Sequence, residues 1–303
     1  MLRGLLLYLS RHRGLRRWAE TSPAAGLVTR RFVAGRTLEQ ALAVCRRLNR
    51  QGILVTLDHL GENVVSLEEA RAAADAYLEA LDRIAQEGLA ATVSVKLTQF
   101  GLDVSLDACR SNLERVVARA AEAHTSVEVD MESSGYVERT LALVTEMHER
   151  RGHVRAVIQA YLRRSAADVA ALCARGVPVR LCKGAYREPP SIAFTKRREI
   201  NASFCRLAEV LLLQGAYPGL ATHDPRMIAH ACRFAHQHGI SKDRFEFQML
   251  YGIRRDLQRR LARGGYRLRL YVPYGEAWYP YLMRRLAERP ANLLLVLRNL
   301  LRR

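Results

Sequence analysis

ILVTLDHLGENVVSLEEARAAADAYLEALDRIAQEGLAATVSVKLTQFG, residues 53–101, decides the fold. It reads as strand, helix, strand. ILVTLDHLG (53–61) and ATVSVKLTQFG (91–101) are β-rich runs that end in glycine. Between them, SLEEARAAADAYLEALDRIAQEG (66–88) places Leu67, Ala70, Ala74, Leu78, Leu81 and Ile84 on one helical face. Two strands joined through a crossover helix lie parallel in one sheet.

The same unit recurs along the chain. Further strand-like runs are TSVEVDMESSG (125–135), VRAVIQAY (154–161), VPVRLCKGAY (177–186), GLATHD (219–224), RFEFQMLYG (244–252) and YRLRLYVPYG (266–275). The linkers that enter the fifth, sixth and eighth runs (ARGV, QGAYPG, ARGG) carry glycines suited to helix C-caps. Eight alternations within about 220 residues predict an α/β (β/α)8 barrel, a fold of ~250 residues. A doubly wound sheet is the alternative, but no G-x-G-x-x-G follows the first strand. Residues 1–50 precede that strand and are expected to form a helical arm. Residues 51–303 are expected to form the barrel as one domain.

The chain carries 48 basic and 30 acidic residues, a formal net charge of +18. That balance favours anionic partners. The excess is spread along the chain, with no long like-charge run and no basic segment interleaved with aromatics, which argues against nucleic acid. Six scattered cysteines form no C-x-x-C pair, so they are expected to be reduced thiols of a cytoplasmic protein with no metal site. The apolar run 4–9 is too short to span a membrane. MLRGLLLYLSRHRGLRRW (1–18) reads either as a helix packed on the domain or as a basic amphipathic helix in peripheral contact with a membrane.

A barrel places its active site at the C-terminal strand ends. There the sequence offers Asp58 and His59, Lys96, Asp130 and Glu132, Gln159 and Tyr161, then Arg180, Lys183 and Tyr186. Thr222, His223 and Asp224, Gln248 and Tyr251, and Tyr271 and Tyr274 follow. Arg180 stands among Val179, Leu181 and Cys182 in a strand that should be buried, so it requires carboxylate, phosphate or carbonyl partners. Lys96, Arg180 and Lys183 against few acids predict an anionic ligand. A strand lysine also admits a Schiff-base aldolase, with Lys96 or Lys183 as nucleophile. HERRGH (148–153) spaces its histidines five apart and reads as a solvated helix end. YVPYGEAWYPYLMRRLAERPAN (271–292) opens as a strand, turns at Pro273 and Gly275, and becomes a helix near Pro280. On that helix Tyr281, Arg284, Arg285 and Glu288 occupy the stripe usually given to apolar residues.

Seven segments in order, SVKLTQFG, VDMES, VIQAYLRRS, VRLCKGAYRE, ATHD, FEFQMLYG and the final helix, resemble the proline dehydrogenase family in its short bacterial form. The resemblance runs from about residue 30 to the C-terminus. It implies FAD at the mouth of a modified (β/α)8 barrel, with the last helix lying over that mouth. It implies oxidation of L-proline to Δ1-pyrroline-5-carboxylate by hydride transfer to flavin N5, then electron transfer to a membrane quinone. A separate pyrroline-5-carboxylate dehydrogenase would take the next step. Carried over by position, Arg284, Arg285 and Lys96 would bind the proline carboxylate. Tyr271, Tyr281, Tyr186 and Leu250 would wall in its ring. Asp130 would sit beside the substrate, and Arg180 beside flavin N5. Met131, Gln159, Lys183, Gly184, Ala185, Thr222 and His223 would complete the flavin site, with Glu288 at its edge. Cys182 departs from the β-branched residue commoner in that family.

Overall fold

The computed structural model describes residues 31–61, 63–279, 281 and 283. Eight parallel strands close into a barrel in chain order: β1 (Leu54–His59), β2 (Ala91–Val95), β3 (Val127–Val129), β4 (Val154–Gln159), β5 (Val179–Cys182), β6 (Gly219–Ala221), β7 (Glu246–Leu250) and β8 (Arg267–Tyr274). β8 closes on β1 from Leu54↔Arg269 to His59↔Tyr274, which removes the open-sheet alternative.

Seven crossover helices surround it: α2 (Leu67–Gln86), α3 (Leu106–Glu122), α4 (Val137–Arg151), α5 (Ser165–Ala174), α6 (Arg197–Gln214), α7 (Pro225–Gln237) and α8 (Arg255–Arg263). α1 (Leu38–Asn49), from the expected arm, packs against β1 and β8. Thr37 and Gln40 start α1 with a capping box, and its Ala41, Leu42, Cys45 and Leu48 join the core. Arg46 bridges Glu39 and Glu87, and Arg83 of α2 bridges the same two acids. Residues 1–30 of the arm lie outside the described residues.

The helix at 66–88 starts at Ser66, whose hydroxyl accepts from Glu69 N. Ala70, Ala74, Leu81 and Ile84 are buried as the spacing predicts, joined by Tyr77 and Ala80. Leu67 departs from the prediction: it begins the helix at the rim and is exposed. Two glycine signals hold, at Gly176 and Gly265 with positive φ, but in QGAYPG the left-handed residue is Tyr217. HERRGH ends α4, with Gly152 as its cap.

β8 runs straight through Pro273, where the sequence suggests a turn. β7 ends at Leu250, opposite Tyr271. Beyond that point no strand among the described residues neighbours this side of β8, so the missing N–H forfeits no ladder bond there. Ala34 N donates to Pro273 O instead, at 2.9 Å. The turn begins at Gly275, and the chain is helical from Trp278.

Side chains alternate along each strand. Val55, Leu57, Val93, Val95, Val127 and Val129 are buried in the core. Thr56, Thr92, Glu128, Arg155, Arg180, Glu246, Gln248 and Arg269 point the other way and meet one another in the bore. Barrels of this type usually fill that space with branched apolar residues. Here it holds three arginines and two glutamates, all buried.

Candidate active site

The bore network rises toward the mouth strand by strand. At the floor, Glu246 Oε1 accepts from Arg155 Nη1 at 2.6 Å, Arg269 Nε at 2.8 Å and Gln248 Nε2 at 2.7 Å. One layer up, Glu128 pairs with Arg180 and accepts from Thr56 at 3.0 Å and Thr92 at 3.2 Å. Arg155 and Arg269 also lie within 3.6 Å and 3.8 Å of Glu128. Arg180 then reaches up to Asp130, Nη1 to Oδ1 at 2.6 Å.

At the mouth Asp130 is the hub. It accepts from Tyr271 OH at 2.6 Å and Ser94 Oγ at 2.9 Å, and Lys96 Nζ stands 3.6 Å away. Lys96 also donates to Asp58 at 3.2 Å. The Arg180 guanidinium lies 5.2 Å from the Tyr271 ring centre, a cation–π contact. Asp130, Arg180, Lys96 and Tyr271, each selected from sequence, are therefore one cluster.

The remaining positions surround it. Gln159 Nε2 donates to Glu132 O at 2.8 Å, holding the chain after β3 against β4. Met131 is buried in a satellite core with Val157, Tyr161 and Leu162. Lys183 Nζ donates to Asn201 at 2.7 Å and to Asp224 at 3.0 Å. Thr222 is buried after β6. His223 accepts from Leu250 N at 2.9 Å, tying the ends of β6 and β7 together. Asp224 caps α7, its side chain accepting from Arg226 N. Gly184 turns the chain out of β5 at φ +105°, and a Cβ there would stand 2.1 Å from the Tyr161 ring. Ala185 and Tyr186 follow on the rim.

Tyr186 is 41% exposed on the rim, because the chain has left the sheet at Gly184. One expectation is corrected. The strand ends are not poor in acids: Lys96 meets Asp58 and Asp130, Arg180 meets Glu128 and Asp130, and Lys183 meets Asp224. These cations are balanced by the chain's own carboxylates, so they do not by themselves specify an anionic ligand. Tyr281 is buried. Arg284, Arg285 and Glu288 lie outside the described residues.

Sequence reading singled out Arg180 as a charge inside a buried strand but passed over Glu128, Arg155, Glu246 and Arg269, which carry the same signal. Each of the four is a charged residue in a β-rich run at the bore-facing parity.

The network divides its carboxylates. Burial disfavours the charged form of Glu128, but the guanidiniums of Arg180, Arg155 and Arg269 outweigh it and hold the carboxyl below its ordinary range. Burial likewise opposes Asp130, and Arg180 and Lys96 overcome it. Glu246 is held low by Arg269 and Arg155 against the same opposition. Asp58 goes the other way: burial raises it, Lys96 only partly offsets that, and Asp130 adds repulsion. Burial, then Asp130, pushes the Tyr271 hydroxyl well above its usual value.

A depressed carboxylate stabilises the fold above its unfolded pKa, and that contribution is lost as pH falls through the folded value. Asp58 has the opposite sign, its contribution being lost as pH rises. Three depressed groups against one raised group predict that urea midpoints fall as pH drops below the ordinary range, 4.5 for glutamate and 3.8 for aspartate. Glu246→Gln should flatten that acid slope. A midpoint independent of pH between about 3 and 5 would contradict the assignment.

The closed parallel barrel with a charged, buried cluster at the C-terminal strand ends defines the class: a (β/α)8-barrel enzyme. A family model described as proline dehydrogenase matches residues 41–296. The chain is 40% identical over 303 residues to Proline dehydrogenase 1 of Bacillus subtilis (strain 168), covering 100% of both chains. It is 40% identical over 279 residues to Proline dehydrogenase of Deinococcus radiodurans, covering 90% of this chain and 89% of that one. Among solved structures, proline utilization A (PutA) from Bdellovibrio bacteriovorus, inactivated by N-propargylglycine, superimposes with a TM-score of 0.81 at 29% identity. That likeness covers 87% of this chain and 33% of the larger protein. The chain belongs to the proline dehydrogenase family.

Proposed function

We propose that this enzyme oxidises L-proline to Δ1-pyrroline-5-carboxylate with FAD as its cofactor and a membrane quinone as electron acceptor, the first step of proline catabolism. The observation that carries this reading is the Lys96–Asp130–Arg180–Tyr271 cluster at the strand ends of a family barrel. When bound, FAD would supply the redox chemistry, accepting at N5 the hydride that leaves proline C5.

The residues present suit such a group. Arg180 Nε is buried and makes no hydrogen bond among the described residues, while Nη1 and Nη2 pair with Asp130 and Glu128. Gly184 lets the backbone after β5 pass close to Tyr161 where any side chain would collide. Arg180 would place positive charge beside flavin N5, preorganised by Glu128 and Asp130. Gln159, Met131, Lys183, Gly184, Ala185, Thr222 and His223 would line the flavin, with Glu288 at its edge. Lys96, Arg284 and Arg285 would bind the proline carboxylate. Tyr271, Tyr281 and Leu250 would exclude water from the ring, and Tyr186 would contribute from the rim.

We read residues 1–50 as an arm and 51–303 as one catalytic domain, with the last helix over the mouth. Among the described residues no helix is long and apolar enough to cross a membrane. We assign quinone access to peripheral contact from the cytoplasmic side. A separate pyrroline-5-carboxylate dehydrogenase would consume the product.

The test is turnover. Protein reconstituted with FAD, given L-proline and a short-chain quinone, should form one Δ1-pyrroline-5-carboxylate per quinone reduced. Absence of proline-dependent product would refute the reading. Arg284→Met and Arg285→Met should each raise KM for proline strongly while retaining FAD, a loss of about 2–5 kcal/mol in substrate binding. Variants that shed FAD with KM unchanged would assign the two arginines to the cofactor instead.

A further inference from the structure

We propose that Glu128 is a positioning residue: from beneath the site it sets the orientation and the effective charge of Arg180 toward the flavin. The inference rests on the flavin reading above and goes beyond it, to a residue that touches neither substrate nor cofactor.

Glu128 is fully buried on β3, yet it contacts side chains from six other strands. Thr56 of β1 and Thr92 of β2 donate to Oε1, and Gln248 of β7 approaches Oε2 at 3.3 Å. Arg180 of β5 pairs with Oε2, and Arg155 of β4 and Arg269 of β8 flank Oε1. A side chain held by β1, β2, β4, β5, β7 and β8 together cannot shift without moving the barrel. Only one of its three arginines, Arg180, continues to the mouth, where it meets Asp130 and the Tyr271 ring. Arg155 and Arg269 turn instead to Glu246.

An ion network seldom outperforms a well-packed apolar core in stability, and its best-attested use is to fix one arrangement. Arg180 therefore sits between two carboxylates with different tasks. Asp130 shares the mouth with Tyr271 and Lys96, whereas Glu128 is anchored and neutralises from below. Removing the Glu128 charge while keeping its shape should leave Arg180 more strongly cationic toward the flavin. Glu246 is the control, because it is equally buried and pairs with arginines, but not with Arg180.

The experiment compares the two-electron midpoint potential of bound flavin and the thermal midpoint in wild type, Glu128→Gln and Glu246→Gln. Both variants are expected to lose stability. Only Glu128→Gln is expected to favour reduced flavin, by about tenfold in the reduced-to-oxidised ratio at fixed poise, or about 30 mV. Because a lone buried charge change can prevent folding, Glu128→Gln with Arg155→Gln, which keeps the buried charge balanced, is measured alongside. It should recover stability and retain the shift. Equal potentials in both single variants, or a shift that disappears in the charge-balanced double variant, would overturn the inference while leaving the flavin reading intact. A wild-type chain that takes up no flavin would overturn both.

Discussion

Arg180→Met is expected to lower kcat by about 10²–10³ while changing KM for proline by only a few-fold. The asymmetry follows from where Arg180 sits. Its guanidinium is buried and tied to Glu128 and Asp130, and its proposed role is to meet charge that develops during hydride transfer. Methionine keeps the packing volume but leaves buried Glu128 and half-buried Asp130 without their shared partner. That should also cost about 3–5 kcal/mol of stability, as breaking one side of a buried pair does. Steady-state kinetics, flavin content and a thermal melt on one preparation separate the two effects. An increase in KM with kcat unchanged would move Arg180 from the cofactor to the substrate.

Asp130→Ala should be comparably severe and different in form. One carboxylate holds the Tyr271 hydroxyl at 2.6 Å, Arg180 at 2.6 Å and Ser94 at 2.9 Å, with Lys96 at 3.6 Å. Removing it releases Tyr271, Arg180 and Lys96 together, the residues proposed to wall the ring, face the cofactor and bind the substrate carboxylate. Misplacement by about 1 Å can cost 10²-fold, so kcat/KM should fall by at least about that factor through both kcat and KM. It should also lower the pKa of Asp58, because the repulsion between the two carboxylates is gone. A Tyr271→Phe variant that matched Asp130→Ala in both kcat and KM would show that Asp130 acts through the tyrosine alone.

The sequence carries the barrel plainly and the site unevenly, for physical reasons. Strand and helix are local: the spacing of Ala70, Ala74, Leu81 and Ile84, and caps at Ser66 and Asp224, are visible within a few residues. Closure of β8 on β1 follows from repetition of one unit eight times. The strand ends follow from the fold, which is how Lys96, Asp130, Arg180 and Tyr271 could be chosen before their contacts were known. Partnership is not local. Arg180 signalled a buried charge, but nothing in its strand says that Glu128, 52 positions earlier, answers it. The expectation of few acids failed for the same reason: Asp58, Asp130 and Asp224 stand in the sequence, but their pairing with Lys96, Arg180 and Lys183 spans 38, 50 and 41 positions and is set by the fold. Pro273 misled for a related reason: whether a proline interrupts a strand depends on whether a neighbour still runs beside it.

The proposed chemistry requires a flavin at this barrel mouth that L-proline reduces. An anaerobic visible spectrum of the FAD-loaded protein, taken before and after adding L-proline with no quinone present, tests it. A yellow protein that bleaches on addition of L-proline and recovers when quinone is admitted is the expected result. A protein that takes up no FAD, or whose bound flavin keeps its colour with proline present, would contradict it.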